Sequence, residues 1–177
     1  MKNLSRVLLL IFILTEIGSL VSIPVYGHDR AIEELLVQAN KGNADAQYNM
    51  GLFLAKQGRA ADAITHYSEA LRIHPNYMDA LNNLAWIFAT NGDPAFRNGV
   101  KAVQMAERAC KISGNNDPFL LDTLAAAYAE TGRFEKAGVT AQKAFDLARS
   151  SGFEPLAGAV EKRLQLYRSN RPFYEDR

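Results

Sequence analysis

A chain of 177 residues holds one domain of ordinary size plus a targeting segment. Its 48% hydrophobic and 22% charged residues argue against wholesale disorder. The net charge is +1, and removing residues 1–27, which carry Lys2, Arg6 and Glu16, leaves 18 basic against 18 acidic residues. A neutral mature chain lacks the basic stripe that phosphate binding needs, which argues against nucleic acid as a partner.

The first element is an export signal. Lys2 and Arg6 form a positive start, Val7 to Leu14 an apolar run, and Val25-Tyr26-Gly27 a small-residue cleavage motif. Residues 1–27 are therefore expected to be cleaved and the protein to be exported, periplasmic or secreted. The alternative is an uncleaved inner-membrane anchor over residues 7–25, against which Glu16 stands as a costly interior carboxylate. No cysteine follows the run, so lipid attachment is not indicated. Cys110 is the only cysteine; it reads as a small buried hydrophobe on a helix, although an unpaired thiol can also bridge to a partner.

Asp29 to Lys41 is predicted as a helix with Ile32, Leu35 and Leu36 inward, covering the N-terminal end of the folded domain. From Ala44 the chain repeats itself. Gly58 recurs as Gly92 and Gly132, at spacings of 34 and 40; Ala63 recurs as Ala102 and Ala137, at 39 and 35. That is a period of 34 with one enlarged turn after Gly92. Each unit carries two apolar stripes at helical spacing: Met50, Gly51 and Leu54, then Ala63, Tyr67 and Ala70; Leu81, Leu84 and Ala85, then Ala102, Ala106 and Ala109; Leu121, Leu124 and Ala125, then Ala137, Ala141 and Ala144. Asp117-Pro118 is a strong helix start. Small residues let paired helices approach while Leu, Tyr and Phe fill the gaps against the next hairpin. No hairpin buries both stripes alone, so each needs its neighbour.

Met50-Gly51, Leu54, Gly58, Ala63, Tyr67, Ala70 and Pro75 resemble the tetratricopeptide repeat (TPR). Leu124-Ala125, Tyr128, Gly132, Ala137, Ala141 and Ala144 repeat the pattern without the closing proline. The second unit departs most, with Ala85 for the glycine and an insertion from Pro94 to Gly99. Lys41 to Gly51 is also similar to the Sel-one-like cousin of the repeat. The resemblance implies an all-α, right-handed α-solenoid of three helix-turn-helix repeats (44–77, 78–117 and 118–149), preceded by an N-terminal helix over 28–43. Residues 150–177 then supply a C-terminal capping helix and tail. That helix is expected over Glu154 to Arg168, with Leu156, Val160, Leu164 and Tyr167 inward and Glu161, Lys162 and Arg163 toward water. The tail, with Pro172, Phe173 and Tyr174, is expected to be loosely docked or free.

In proteins that resemble this one, the first helix of each repeat lines a concave surface. Carried over by the repeat spacing, that face holds Tyr48, Asn49 and Leu52; Asn82, Asn83 and Trp86; Asp122, Thr123 and Ala126. An amide can bracket a peptide unit with a donor and an acceptor. Asn49 and Asn83 thus resemble the asparagine ladder of the O-GlcNAc transferase repeats, with Thr123 breaking the third step; the alternative is ordinary solvated residues. Trp86 is either an apolar anchor in the groove or interhelical packing. In the enlarged turn either Phe96 and Arg97 carry contacts, or Pro94 and Phe96 fold back over the hairpin.

No metal-ligand spacing links His28, His66 and His74, and no phosphate loop or nucleophile elbow occurs. The expectation is a non-enzymatic scaffold or adaptor of the cell envelope that binds a protein or peptide through its concave face and needs no cofactor. Two alternatives stand beside it: a membrane-anchored assembly subunit that uses the convex face or the loop, and an accessory domain to an enzyme such as a glycosyltransferase.

Overall fold

The computed structural model describes residues 26–176, with side chains from Ile32 onward. The apolar run at 7–25 and most of the expected signal lie outside the described residues. Among the described residues there are eight α-helices, and none is long and apolar enough to cross a membrane. They are α1 (Tyr26–Asn40), α2 (Ala44–Lys56), α3 (Ala60–Ile73), α4 (Met78–Thr90), α5 (Gly99–Ile112), α6 (Pro118–Glu130), α7 (Phe134–Ser150) and α8 (Glu154–Arg168), with a 3₁₀ turn at Pro94–Phe96. The fold is an all-α solenoid, as the periodicity predicts.

Local chemistry sets where the helices begin and end. Asn43, Asn98 and Asp117 each accept a hydrogen bond from a first-turn N–H, and Pro118 follows Asp117 at the first helical position. Gly58 and Gly132 close α2 and α6 at a φ of +73° in both, a conformation that L side chains rarely adopt. The second hairpin has no such glycine between its two helices. Its enlarged turn is held by Asp93, whose carboxylate accepts from the Ala95 N–H, and by the Asn98 N–H, which donates to the Phe88 carbonyl.

The hairpins α2–α3, α4–α5 and α6–α7 stack in order, and α8 packs on α7 where the next hairpin would begin. The first helices also touch one another, α4 on α6 and α6 on α8, so they form an inner layer. Ala63, Ala70, Ala85, Ala102, Ala109, Ala125, Ala137, Ala141 and Ala144 are fully buried. The closest approach is at Gly51, where a Cβ would lie 2.6 Å from the Tyr67 ring. A larger core spans the second and third hairpins and α8, and a smaller one the first hairpin; Leu71, Phe88 and Met105 touch both.

Two expectations need correction, Leu36 and Arg163, and two further placements are new. Leu36 is 40% exposed: α1 buries only a narrow stripe, Ile32, Leu35 and Ala39, against the first hairpin. Arg163 faces inward, because it lies inside the i, i+3, i+4, i+7 stripe made by Val160, Leu164 and Tyr167. His66 is half-buried, its Nδ1 2.6 Å from Gln47 Oε1, while the Gln47 amide donates to the Ala39 carbonyl at the end of α1. The tail is docked.

Candidate functional site

The inner-face residues separate into three environments. At the N-terminal end of α2, Tyr48 stacks 5.0 Å from Tyr77 and 5.9 Å from Tyr67. The Asn83 amide nitrogen donates to the hydroxyls of Tyr48 and Tyr67, at 3.4 and 3.5 Å. Burial pushes the Tyr67 phenol up to about 12, so it stays a neutral hydroxyl. Asn49 is exposed, and Leu52 is half-buried against the smaller core. The two asparagines of the expected ladder therefore differ in surroundings: one faces solvent and the other is tied to a tyrosine cluster. Asn82 is half-buried, with its Oδ1 enclosed and without a hydrogen-bond partner.

The third repeat is closed off. Asp122 and Thr123 are buried, as is Ala126. The Thr123 hydroxyl donates to the Phe119 carbonyl. Arg163 Nε and Nη2 donate to the two oxygens of Asp122 at 2.9 and 2.6 Å, a bidentate pair between α6 and α8. Burial raises the Asp122 carboxyl above its usual 3.8, and the guanidinium pulls against that rise.

Trp86 belongs to the groove, and the chain itself covers it. Asn170, at a φ of 54°, turns the chain out of α8, and residues 171–176 run back over the inner layer. Phe173 lies 6.1 Å from Trp86, centroid to centroid. The Trp86 indole N–H donates to Glu175 Oε1 at 2.8 Å, and the Glu175 backbone N–H donates to the Thr90 carbonyl at 2.8 Å. That carbonyl ends α4 and has no intrahelical donor, which makes it a natural docking point for an extended chain. The Arg163 guanidinium sits 5.3 Å from the Trp86 ring and 5.4 Å from Phe173, within cation–π reach of both.

The enlarged turn supplies the other wall. Arg97 stacks 4.0 Å over the Tyr174 ring, pairs with Glu130 at 3.2 Å and donates to the Asn91 carbonyl at 2.9 Å. Phe96 folds back onto the smaller core. Beside Glu175 a cavity of about 480 Å³ continues toward the first hairpin, lined by Ala55, Gly58, Trp86, Ile87 and Phe96. The residues that complete the groove beyond the expected set are thus Thr90, Arg163, Phe173, Tyr174 and Glu175. The sequence signal for them was two adjacent aromatics after a helix end, and an arginine inside an apolar stripe.

A tetratricopeptide-repeat family model matches residues 43–115, the first two hairpins. Over 48 residues the chain is 48% identical to Protein O-mannosyl-transferase TMTC1 of Homo sapiens and to that of Mus musculus, 27% of this chain and 5% of each relative. Over 113 residues it is 28% identical to the Photosystem I assembly protein Ycf3 of Synechococcus sp. (strain CC9605), 62% of this chain and 62% of that one. The chain thus matches a small part of the mannosyltransferases and under two thirds of the assembly protein. The chain is thus similar to the tetratricopeptide repeat over its first two hairpins, and the stacked hairpins make the described residues an all-α helical solenoid.

Proposed function

We propose that the chain is a non-catalytic adaptor or assembly factor of the cell envelope that binds an extended stretch of another protein along the inner face of α2 and α4. One observation carries this reading: residues 172–175 already lie on that face, held at once by a backbone hydrogen bond to Thr90 and by side-chain contacts to Trp86 and Arg97. A surface that holds an extended chain through both its backbone and its side chains has the chemistry of peptide recognition. The similarity to an assembly protein over 113 residues supports the assembly reading. Lys2, Arg6, the apolar run and Val25-Tyr26-Gly27 support export.

The test is site-specific photocrosslinking in the source cells. A benzophenone amino acid is placed at Asn49, exposed on α2, or at Val139, 70% exposed on α7. Crosslinks to a discrete protein from Asn49 and none from Val139 are expected. The reverse pattern moves binding to the outer helices and overturns the proposal. Mass spectrometry of the purified protein reads the export step: a chain that starts at His28 agrees with it, and a retained Met1 does not.

A further inference from the structure

Residues 173–175 do more than cover Trp86, because each makes a different kind of contact. Phe173 offers an aromatic face to Trp86 and Arg163. Tyr174 lies under the Arg97 guanidinium. Glu175 receives the only tryptophan N–H of the protein and donates its own backbone N–H to the end of α4. The groove therefore reads three successive positions: an aromatic, a second aromatic beneath a guanidinium, and an acceptor in line with an indole donor.

The segment's hold is modest. Tyr174 is 40% exposed, Glu175 and Asp176 are exposed, and Pro172 and Phe173 are only half-buried. Short exposed segments with few buried contacts open at the low end of the stability range. The cavity beside Glu175, walled by Trp86, Ile87 and Phe96, gives further apolar surface to a chain that continues past the acidic position.

We infer that residues 172–175 are an internal ligand, and that the groove binds partner proteins through an extended segment of the same chemistry, aromatic-aromatic-acidic, which displaces them. This rests on the proposed binding of extended protein segments along the inner face, and it names the chemistry of the partner. An attached segment competes at an effective concentration on the order of millimolar for a short tether. A free peptide with the same residues therefore meets an occupied groove in the wild type and an open one once the internal ligand is disabled.

The experiment uses the full mature chain and a fluorescein-labelled hexapeptide that copies residues 171–176. Binding is followed by fluorescence anisotropy to wild type, to a Phe173→Ala, Tyr174→Ala, Glu175→Ala variant, and to that variant with Trp86→Ala added. The hexapeptide is expected to bind the triple variant at least tenfold more tightly than wild type, and to lose that gain when Trp86→Ala is added. Single substitutions in the hexapeptide at the phenylalanine, tyrosine or glutamate are each expected to weaken binding. Equal binding to wild type and triple variant overturns the inference, as does no binding to either, or binding indifferent to Trp86.

A wild-type chain that dimerises with rising concentration while the triple variant stays monomeric assigns the segment to a second copy, and also overturns it. Should the triple variant fold poorly by circular dichroism, Glu175→Lys alone serves. It is expected to shift Trp86 emission in the intact protein and to raise hexapeptide affinity; no change in either overturns the inference. If Asn49 crosslinks persist while the hexapeptide fails, only the partner chemistry falls. If the crosslinks also vanish, the inner-face reading falls with it.

Discussion

Arg163 on α8 and Asp122 on α6 meet through two parallel hydrogen bonds, at 2.9 and 2.6 Å, with both residues buried. The same guanidinium lies against Trp86 and Phe173, so one side chain ties the last helix to the third hairpin and also supports the floor of the groove. Removing one partner leaves an uncompensated buried charge, which typically costs about 3–5 kcal/mol. Asp122→Ala is therefore expected to lower the urea midpoint sharply at an unchanged m-value. The double variant Asp122→Leu, Arg163→Met is expected to recover most of that loss, since an apolar pair of similar volume replaces the ion pair. Trp86 emission should remain altered in the double variant, because the guanidinium over the indole is gone. A double variant no more stable than Asp122→Ala would show that the pair contributes more than charge compensation.

Gly51 tests how closely α2 and α3 must approach. An added Cβ would fall 2.6 Å from two atoms of the Tyr67 ring, and that ring is 1% exposed, with nowhere to retreat. Gly51→Ala is expected to destabilise by about 1–3 kcal/mol, the usual cost of overpacking, although alanine is the better helix former. Gly138, in the middle of α7, has nothing within 4 Å of its added Cβ. There Gly138→Ala is expected to stabilise by about 0.5–1 kcal/mol. Thermal melts of the two variants beside wild type check both signs; stabilisation by Gly51→Ala would contradict the close approach.

The hairpins were legible because their two signals are local and repeat. A 3.6-residue apolar period marks the helices, and Gly58, Gly132 and Asp117-Pro118 mark where they stop or start. The site was legible only in part. Trp86 falls on the inner face by counting one repeat from Leu52, yet what covers it is a six-residue stretch with no period of its own, 89 residues away from the tryptophan at Glu175. Repeat spacing carries Asp122 to the inner face without saying what packs over it. Its partner Arg163 lies 41 residues on, and an arginine between Val160 and Leu164 reads as an interrupted stripe until the facing carboxylate is known. The enlarged turn left Arg97 open between contact and cover. In the structure Arg97 reaches Glu130 and Tyr174 of the same chain, and Phe96 folds back over the first hairpin.

Cys110 is 1% exposed in α5, and burial, with a smaller contribution from Asp117, pushes its thiol up to about 11. The thiolate is the reactive form, so iodoacetamide is expected to leave the native protein unlabelled near neutral pH and to label it promptly once it is unfolded in urea. The same groups fix the sign of the alkaline response. Cys110 at about 11 and Tyr67 at about 12 hold their protons in the folded state above their ordinary values of 9 and 10. Between those limits the unfolded chain binds fewer protons than the folded one, so stability falls as pH rises. Their full contribution is present below about pH 9 and is lost progressively up to about 12. Urea midpoints from pH 8 to 11 check this; a rise over that interval would contradict the burial of both groups.

Arg97 and Arg59 form ion pairs of the same type in different settings, and that difference decides what each contributes. Arg59 and Asp62 are one helical turn apart, with side chains 56% and 48% exposed, where water screens the attraction and holding two long side chains costs entropy. Arg59→Ala is expected to change stability by less than about 1 kcal/mol. Arg97 and Glu130 are 17% and 14% exposed and lie on different elements, and the same guanidinium also donates to the Asn91 carbonyl that opens the turn after α4. Arg97→Ala leaves a largely buried carboxylate and a carbonyl without their donor, a loss of about 1–3 kcal/mol. Arg97→Lys is expected to restore little, since a point charge cannot serve both acceptors and stack on Tyr174 as the planar fork does. The two substitutions should also separate optically, because only loss of Arg97 loosens Tyr174 and with it the segment that covers Trp86. Paired urea titrations with tryptophan emission check both effects. Equal losses at Arg59 and Arg97 would show that the enlarged turn is not held by this arginine.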